Sequence, residues 1–167
     1  IALPLVGSGS TWLTLTVAGL AMGTIVFIVA SGLTLVFGLM DVLNFGHGVF
    51  LALGAYVAVS SFGAMAGYAA SPSLAMNLVA VFAAIGIAML AAGALGLAFE
   101  RVVVKPVYGH HLKQILITMG GMIVGEELIK LVWGPVPIAL PLPETLRGSF
   151  VIGEAIVEKF RVLATVI

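Results

Sequence analysis

The chain has 167 residues, of which 62% are hydrophobic and 8% are charged, with seven basic and seven acidic side chains. Soluble domains carry about 25% charged residues, so this composition excludes an ordinary soluble protein and indicates an integral membrane protein. The zero net charge and the lack of a basic tract argue against nucleic acid as a partner. The absence of cysteine excludes disulfides and thiolate metal sites.

Four long apolar segments follow in chain order, at about residues 12–40, 49–68, 74–99 and 115–133. Each is long enough to cross a bilayer, which takes about 20 apolar residues, and a helix satisfies its own backbone hydrogen bonds there. A new apolar run near Val162 predicts the start of a fifth span. The predicted fold class is therefore all-α, a polytopic transmembrane helical bundle. We expect residues 1–167 to be part of one transmembrane domain, the N-terminal portion of a longer chain.

Charged residues between the third and fourth segments predict the orientation. Arg101, Lys105 and Lys113 outnumber the single acid there, Glu100, and the positive-inside rule places such a basic loop in the cytoplasm. Residues 134–161 contain closely spaced prolines, which forbid a continuous helix. We expect this segment to be an external loop, with a short amphipathic helix near residues 153–160.

Three charged residues, Glu126, Glu127 and Lys130, lie inside the fourth segment. Each ionised side chain at the membrane centre costs about 2.5–3.5 kcal/mol on an insertion scale, so this helix should not face lipid all round. Lys130 follows Glu126 by four positions and Glu127 by three, which predicts a shielded ion pair near the outer surface. The alternative interpretation of this intramembrane polar cluster is a polar lining of a solute pathway. Glycine pairs at G-x-x-x-G spacing, such as Gly121 with Gly125, predict close helix packing.

A polar, glycine-flanked stretch containing Asp41, Asn44 and His47 separates the first two segments. One His and one Asp are too few ligands for a metal site, and no serine or cysteine nucleophile lies nearby for an enzyme. A break between two helices fits better, because Asn is a good N-cap and Gly46 and Gly48 permit positive φ. Discontinuous helices often build transporter binding sites. Asn44, Gly46, His47 and Gly48 are thus candidates for a helix break on the solute pathway, and contact with solute and a plain turn both stay open.

The segment "GLTLVFGLMDVLNFGHGVFLALGAYVA" (residues 32–58) resembles the signature of the inner-membrane permeases of branched-chain amino acid ABC importers. The core "NFGHG" and the following "GAY" match most closely. Three later stretches, "ERVVVKPV", "GEELIKLVWGP" and "LPLPETLRGSF", are also similar to members of this family. Lys105 stands where arginine is more usual in the family.

The resemblance implies a multi-pass permease subunit of the bacterial inner membrane, which moves branched-chain or similar small amino acids by alternating access. The implied partners are a second homologous permease subunit, two cytoplasmic ATPases, a periplasmic substrate-binding protein and the lipid bilayer. The chain has no G-x-x-x-x-G-K-[ST] motif, so ATP hydrolysis is expected on partner chains and the chain itself is not expected to be an enzyme. No catalytic residue, cofactor or metal is expected. The ATPase-coupling loop of the family is expected beyond residue 167.

Three alternatives stay open at this point. Relatives of the family also carry urea, amides or other small solutes. A secondary transporter or channel that works without ATP belongs to another functional class. A purely structural membrane subunit is the third interpretation.

Overall fold

A computed structural model describes residues 9–139, 141–152, 155–159 and 162–163 of the chain. These ranges contain five α-helices: α1 (Gly9–Met40), α2 (His47–Ala64), α3 (Ala66–Ala69), α4 (Leu74–Phe99) and α5 (His111–Trp133). Helix α4 continues into a π-helical turn, Glu100–Val104, and a 3-10 turn, Lys105–Val107. A further 3-10 turn, Glu144–Leu146, precedes an antiparallel hairpin of β1 (Ser149–Ile152) and β2 (Ala155–Glu158).

Long apolar helices dominate the described residues, so the prediction of an all-α membrane protein is confirmed. Three helices are long and apolar enough to span a membrane, namely Gly9–Leu39, His47–Ala64 and Leu74–Val107. Helix α5 has 23 residues and so has the length of a span. Its acidic and basic side chains make it less apolar than these three helices. That α5 crosses the membrane therefore stays a prediction.

Small side chains let α2 and α4 pack together. Ala80, Ala84 and Ala88 recur at four-residue intervals on α4, and all three are buried. Phe62 of α2 is only 4% exposed and forms one apolar cluster with Ala80 and Ala84. Alanine at this spacing permits close approach of two helix backbones, which is how helices associate in a membrane.

The predicted G-x-x-x-G motif of α5 lies at helix contacts. A Cβ atom placed on Gly121 would lie 2.6 Å from the ring of Phe99, and one on Gly125 would lie 2.5 Å from Cγ1 of Val49. Both distances are far below van der Waals contact, so only glycine fits while these neighbours stay in place. The two glycines therefore fix how closely α5 approaches α2 and the end of α4.

The proline-rich segment differs from its prediction near its end. Residues 155–158 form strand β2 and pair with β1, whereas a short amphipathic helix was expected near residues 153–160. That expectation is wrong for residues 155–158, because Val and Ile favour extended backbone and Gly148, at φ 86°, leads the chain into β1. Residues 153, 154 and 160 lie outside the described part. Only residues 162–163 of the predicted fifth span are described, so its course lies outside it as well.

Candidate functional site

The predicted break between α1 and α2 is present, and it begins at Asp41. Asp41 follows the last residue of α1 and has φ 50°, a left-handed conformation that ends a right-handed helix. Its backbone N–H still donates to Phe37 O at 2.9 Å. The expectation of positive φ at the glycines is wrong, because Gly46 has φ −73° and Gly48 lies within α2.

Asn44 shapes the turn that leads into α2. Its side-chain Oδ1 accepts a hydrogen bond from Gly46 N at 3.0 Å, the bond of an Asx turn. Gly46, not Asn44, occupies the N-cap position of α2, and no side chain caps that helix. Asn44 therefore orders the break two residues before α2 begins, where the sequence predicted a direct N-cap.

Thr118 on α5 satisfies the backbone of the break. Its side chain is fully buried, and its Oγ1 accepts a hydrogen bond from Phe45 N at 3.3 Å. Oγ1 also lies 3.2 Å from Leu43 O and 2.7 Å from Gln114 O, and its single proton can be donated to one of them at a time. Buried backbone N–H groups need a hydrogen-bond partner, and Thr118 supplies one for Phe45.

His47, the first residue of α2, fits against a glycine of α1. A Cβ atom on Gly32 would lie 3.1 Å from Cε1 and 3.2 Å from Nε2 of the imidazole. The missing side chain of Gly32 thus gives the ring its space. The Nε2 atom is buried, and among the described residues it has no hydrogen-bond partner. A hydrogen bond from Nε2 to a solute or a water molecule therefore requires the surrounding side chains to move.

Two pockets flank His47 and Asn44. A pocket of about 500 Å³ lies between α1 and the break, and its lining includes Val29, Leu33 and Phe37. A second pocket of about 250 Å³ lies between the break and α4. Both combine mostly apolar walls with a few polar side chains, which suits a small amphiphilic molecule. Within the described residues no group of three or more potential metal ligands occurs.

The predicted basic loop lies at the same end of the bundle as the break. His111 Nε2 is 3.8 Å from Asp41 Oδ2, with both side chains exposed. Nearby, the Tyr108 hydroxyl donates to Glu100 Oε1 at 2.6 Å. That hydrogen bond to a carboxylate, with smaller contributions from desolvation and from the negative charge, raises the pKa of Tyr108 above its usual value of 10.0. The loop cations Arg101, Lys105 and Lys113 are all exposed.

The intramembrane polar cluster lies away from the break. Lys130 Nζ is 2.7 Å from Glu127 Oε1, so the predicted ion pair forms with Glu127. The side chains are 50% and 66% exposed, so the described residues do not shield the pair, and its shielding stays a prediction. Lys130 lies twelve residues after Thr118, which is about 18 Å along the helix axis. Since the cluster and the break are so far apart, they do not form a single site.

Sequence reasoning missed Thr118 and Gln114, which hold the break and the loop from α5. Both are buried, at 0% and 1% exposure, and Gln114 Nε2 donates to Val107 O at 3.3 Å. The available signal was two uncharged polar side chains four residues apart in an apolar helix, which places them on one face.

The chain matches the family model described as branched-chain amino acid transport system / permease component over residues 15–136. A similar relative is the high-affinity branched-chain amino acid transport system permease protein BraD of Pseudomonas aeruginosa, 29% identical over 140 residues that cover 83% of this chain and 44% of the relative. The corresponding protein LivH of Salmonella typhimurium is 29% identical over 138 residues, which cover 82% of this chain and 43% of LivH. LivH of Escherichia coli K12 is 28% identical with the same coverage. The chain thus spans less than half the length of these relatives, and no solved structure matches it.

Proposed function

Because the chain belongs to the branched-chain amino acid transport system / permease component family, we propose that it forms part of the membrane-spanning permease of an ABC importer. The proposed solutes are branched-chain or similar small amino acids, carried across the bacterial inner membrane. The observation that carries this proposal is the family match over residues 15–136, a range that contains the whole break together with α2, α4 and α5.

The break supports a gating role in this permease. Alternating access needs an element with two discrete arrangements. Here the backbone is held by an Asx turn at Asn44 and by side-chain bonds from Thr118, which can exchange partners more readily than a continuous helical ladder. We assign to Asn44, Gly46, His47 and Gly48 the task of fixing a break that moves during transport. His47 contributes a hydrogen-bonding group at Nε2.

The proposed orientation places the break towards the cytoplasm. The exposed cations of the basic loop support this by the positive-inside rule, and the contact of His111 with Asp41 joins the loop to the break. A solute that reaches this end must leave inward, so a weak site serves transport better than a tight one. An accessible tag within residues 107–111 should react only from the cytoplasm, and one within residues 144–147 only from outside. The reverse pattern would overturn the orientation.

The proposed partners follow from the proposed importer. They are a second homologous permease subunit, two cytoplasmic ATPases and a periplasmic binding protein. The sequence has no P-loop motif, so ATP binding and hydrolysis are assigned to the ATPases. The pathway between the subunits alternates as the ATPases close and open.

The experiment that tests this function is uptake in cells that lack their own branched-chain importers. They express the complete permease with its neighbouring transport genes, and the measured quantity is the entry of radiolabelled leucine. We expect saturable uptake that unlabelled isoleucine and valine reduce and that urea and acetamide leave unchanged. Competition by urea or acetamide alone would instead assign the permease to amide-type solutes, the second candidate. Uptake that persists without the ATPases would indicate an ATP-independent transporter.

A further inference from the structure

A short segment closes the end of the bundle opposite the break. Residues 141–147, here called the strap, lie across the ends of α2, α3 and α4. Pro143 is among the fully buried side chains and Leu146 is 9% exposed. Beneath the strap lie two small cavities of about 170 and 140 Å³, both lined by Phe62 of α2 and by Pro141. The strap therefore covers the seam between α2 and α4.

Asn77, in the first turn of α4, lies beneath the strap and is fully buried. Its Nδ2 donates to Tyr68 O at 2.9 Å and to Ser71 O at 2.9 Å, which caps the end of α3 and the turn after it. Its Oδ1 accepts from Thr145 N at 2.9 Å and from Thr145 Oγ1 at 2.7 Å. One amide side chain thus uses both donors and both acceptor lone pairs.

The two ends of this amide join segments that are far apart in the chain, since Thr145 follows Asn77 by 68 positions. If the strap moved away, the buried carbonyl oxygen of Asn77 would lose both of its hydrogen bonds. The free-energy cost of leaving that oxygen unpaired opposes opening of the strap. The strap is also held in shape by itself, because Arg147 Nε donates to Leu142 O at 3.1 Å and its guanidinium pairs with Glu144 at 2.9 Å.

We propose that Asn77 is a positioning residue that latches the strap over the α2–α4 seam and keeps that seam closed to water and solute at this end of the bundle. The solute pathway then runs elsewhere than between α2 and α4 at this end. The latch is independent of which solute is carried. It goes beyond the proposed function, because it assigns a role to a residue remote from the break and from the polar cluster of α5.

Single-cysteine labelling tests the latch, and the cysteine-free chain gives it a clean background. Ala69 is 9% exposed and lines the larger cavity beneath the strap, while Val151 on β1 is 70% exposed. The experiment uses the complete permease in membranes, with any cysteines outside this chain replaced by serine. Ala69→Cys and Val151→Cys are labelled with a small water-soluble methanethiosulfonate reagent, in intact and in permeabilised cells. We expect Ala69→Cys to react much more slowly than Val151→Cys.

The latch is then weakened in the Ala69→Cys background. Thr145→Val keeps the backbone N–H and the shape but removes the 2.7 Å hydroxyl bond, so labelling should accelerate about two- to tenfold, the effect of one hydrogen bond. Thr145→Ser should restore the parent rate. Thr24→Val is the matched control, because the Thr24 hydroxyl donates only to Leu20 O within α1. Asn77→Ala should accelerate labelling by at least about tenfold, because it removes the strap and turn bonds together.

Two results would overturn the proposal. In the first, with Asn77 and Thr145 unchanged, Ala69→Cys reacts as fast as Val151→Cys. The strap would then not exclude the reagent from the seam between α2 and α4. In the second, Thr145→Val leaves the labelling rate of the parent unchanged in permeabilised cells. Permeabilised cells expose both membrane faces, so this readout depends neither on the proposed orientation nor on transport. If the parent permease shows the expected labelling rates but carries no leucine, that result counts against the proposed function and not against the latch.

Discussion

Replacement of Gly125 by alanine perturbs the contact that seats α2 beside α5. The added Cβ would lie 2.5 Å from Cγ1 of Val49, and Val49 is the third residue of α2, directly after the break. Carbon atoms in contact normally lie about 3.5–4.0 Å apart, so α5 and α2 would have to separate by about 1 Å. The substitution therefore tests whether close packing of α5 positions the break.

The expected change in the free energy of unfolding is the sum of two opposing effects. Overpacking a tight contact costs about 1–3 kcal/mol, while replacing glycine by alanine inside a helix contributes about 1 kcal/mol of stability. Gly120→Ala is the matched control, because nothing lies within 4 Å of its added Cβ on the same helix. The helix-propensity term cancels between the two variants. Gly125→Ala should therefore be about 1–3 kcal/mol less stable than Gly120→Ala.

The assay is thermal unfolding of the purified complete permease in detergent, followed by loss of the monodisperse peak on size exclusion. Gly125→Ala should unfold at a lower temperature than Gly120→Ala. The double variant with Val49→Ala should recover much of the difference, because the two positions are in direct contact and their effects are not additive. Equal midpoints for Gly125→Ala and Gly120→Ala would refute the packing argument.

Three further predictions concern the break and the polar cluster. Thr118→Val leaves Phe45 N–H without its side-chain acceptor and should destabilise the permease by about 1–3 kcal/mol, whereas Thr118→Ser should stay near the parent in the same unfolding assay. Gly46→Leu should abolish leucine uptake at normal membrane abundance, since even a Cβ there meets Asn44 Oδ1 at 3.1 Å; full uptake by Gly46→Leu would contradict the gating assignment. Lys130→Ala should lower membrane abundance, measured by quantitative immunoblot, and an added Glu127→Ala should restore it; parental abundance of the single variant would count against the ion pair.

The four long helices could be predicted because length and apolar composition suffice to identify helices in a membrane. Their ends were less certain. Helix α5 begins at His111 rather than at residue 115, since polar residues at the start of a span can extend the helix beyond the apolar run. The break was predictable from its glycines and polar residues, and the resemblance identified the same stretch. The basic loop and the ion pair with Lys130 also followed from charge and spacing.

The contacts that hold the site were not predictable from the sequence alone. Thr118 reaches the break across more than 70 positions, and Asn77 reaches Thr145 across 68. Nothing local indicates which polar side chain in an apolar helix will satisfy a distant backbone group. The backbone of the break also departed from expectation, because Asp41 rather than a glycine adopts the left-handed conformation. An aspartate tolerates that conformation better than most residues, but its local sequence does not require it.

Leucine transport by the purified complete importer in proteoliposomes shows whether this permease belongs to an ATP-driven amino acid importer. The permease is reconstituted with its ATPases and its binding protein, and radiolabelled leucine entry is compared with and without ATP on the ATPase side. We expect leucine entry that requires both ATP and the binding protein and that isoleucine and valine reduce. Leucine entry at the same rate without ATP, or no leucine entry while another solute is carried, would contradict the proposed function.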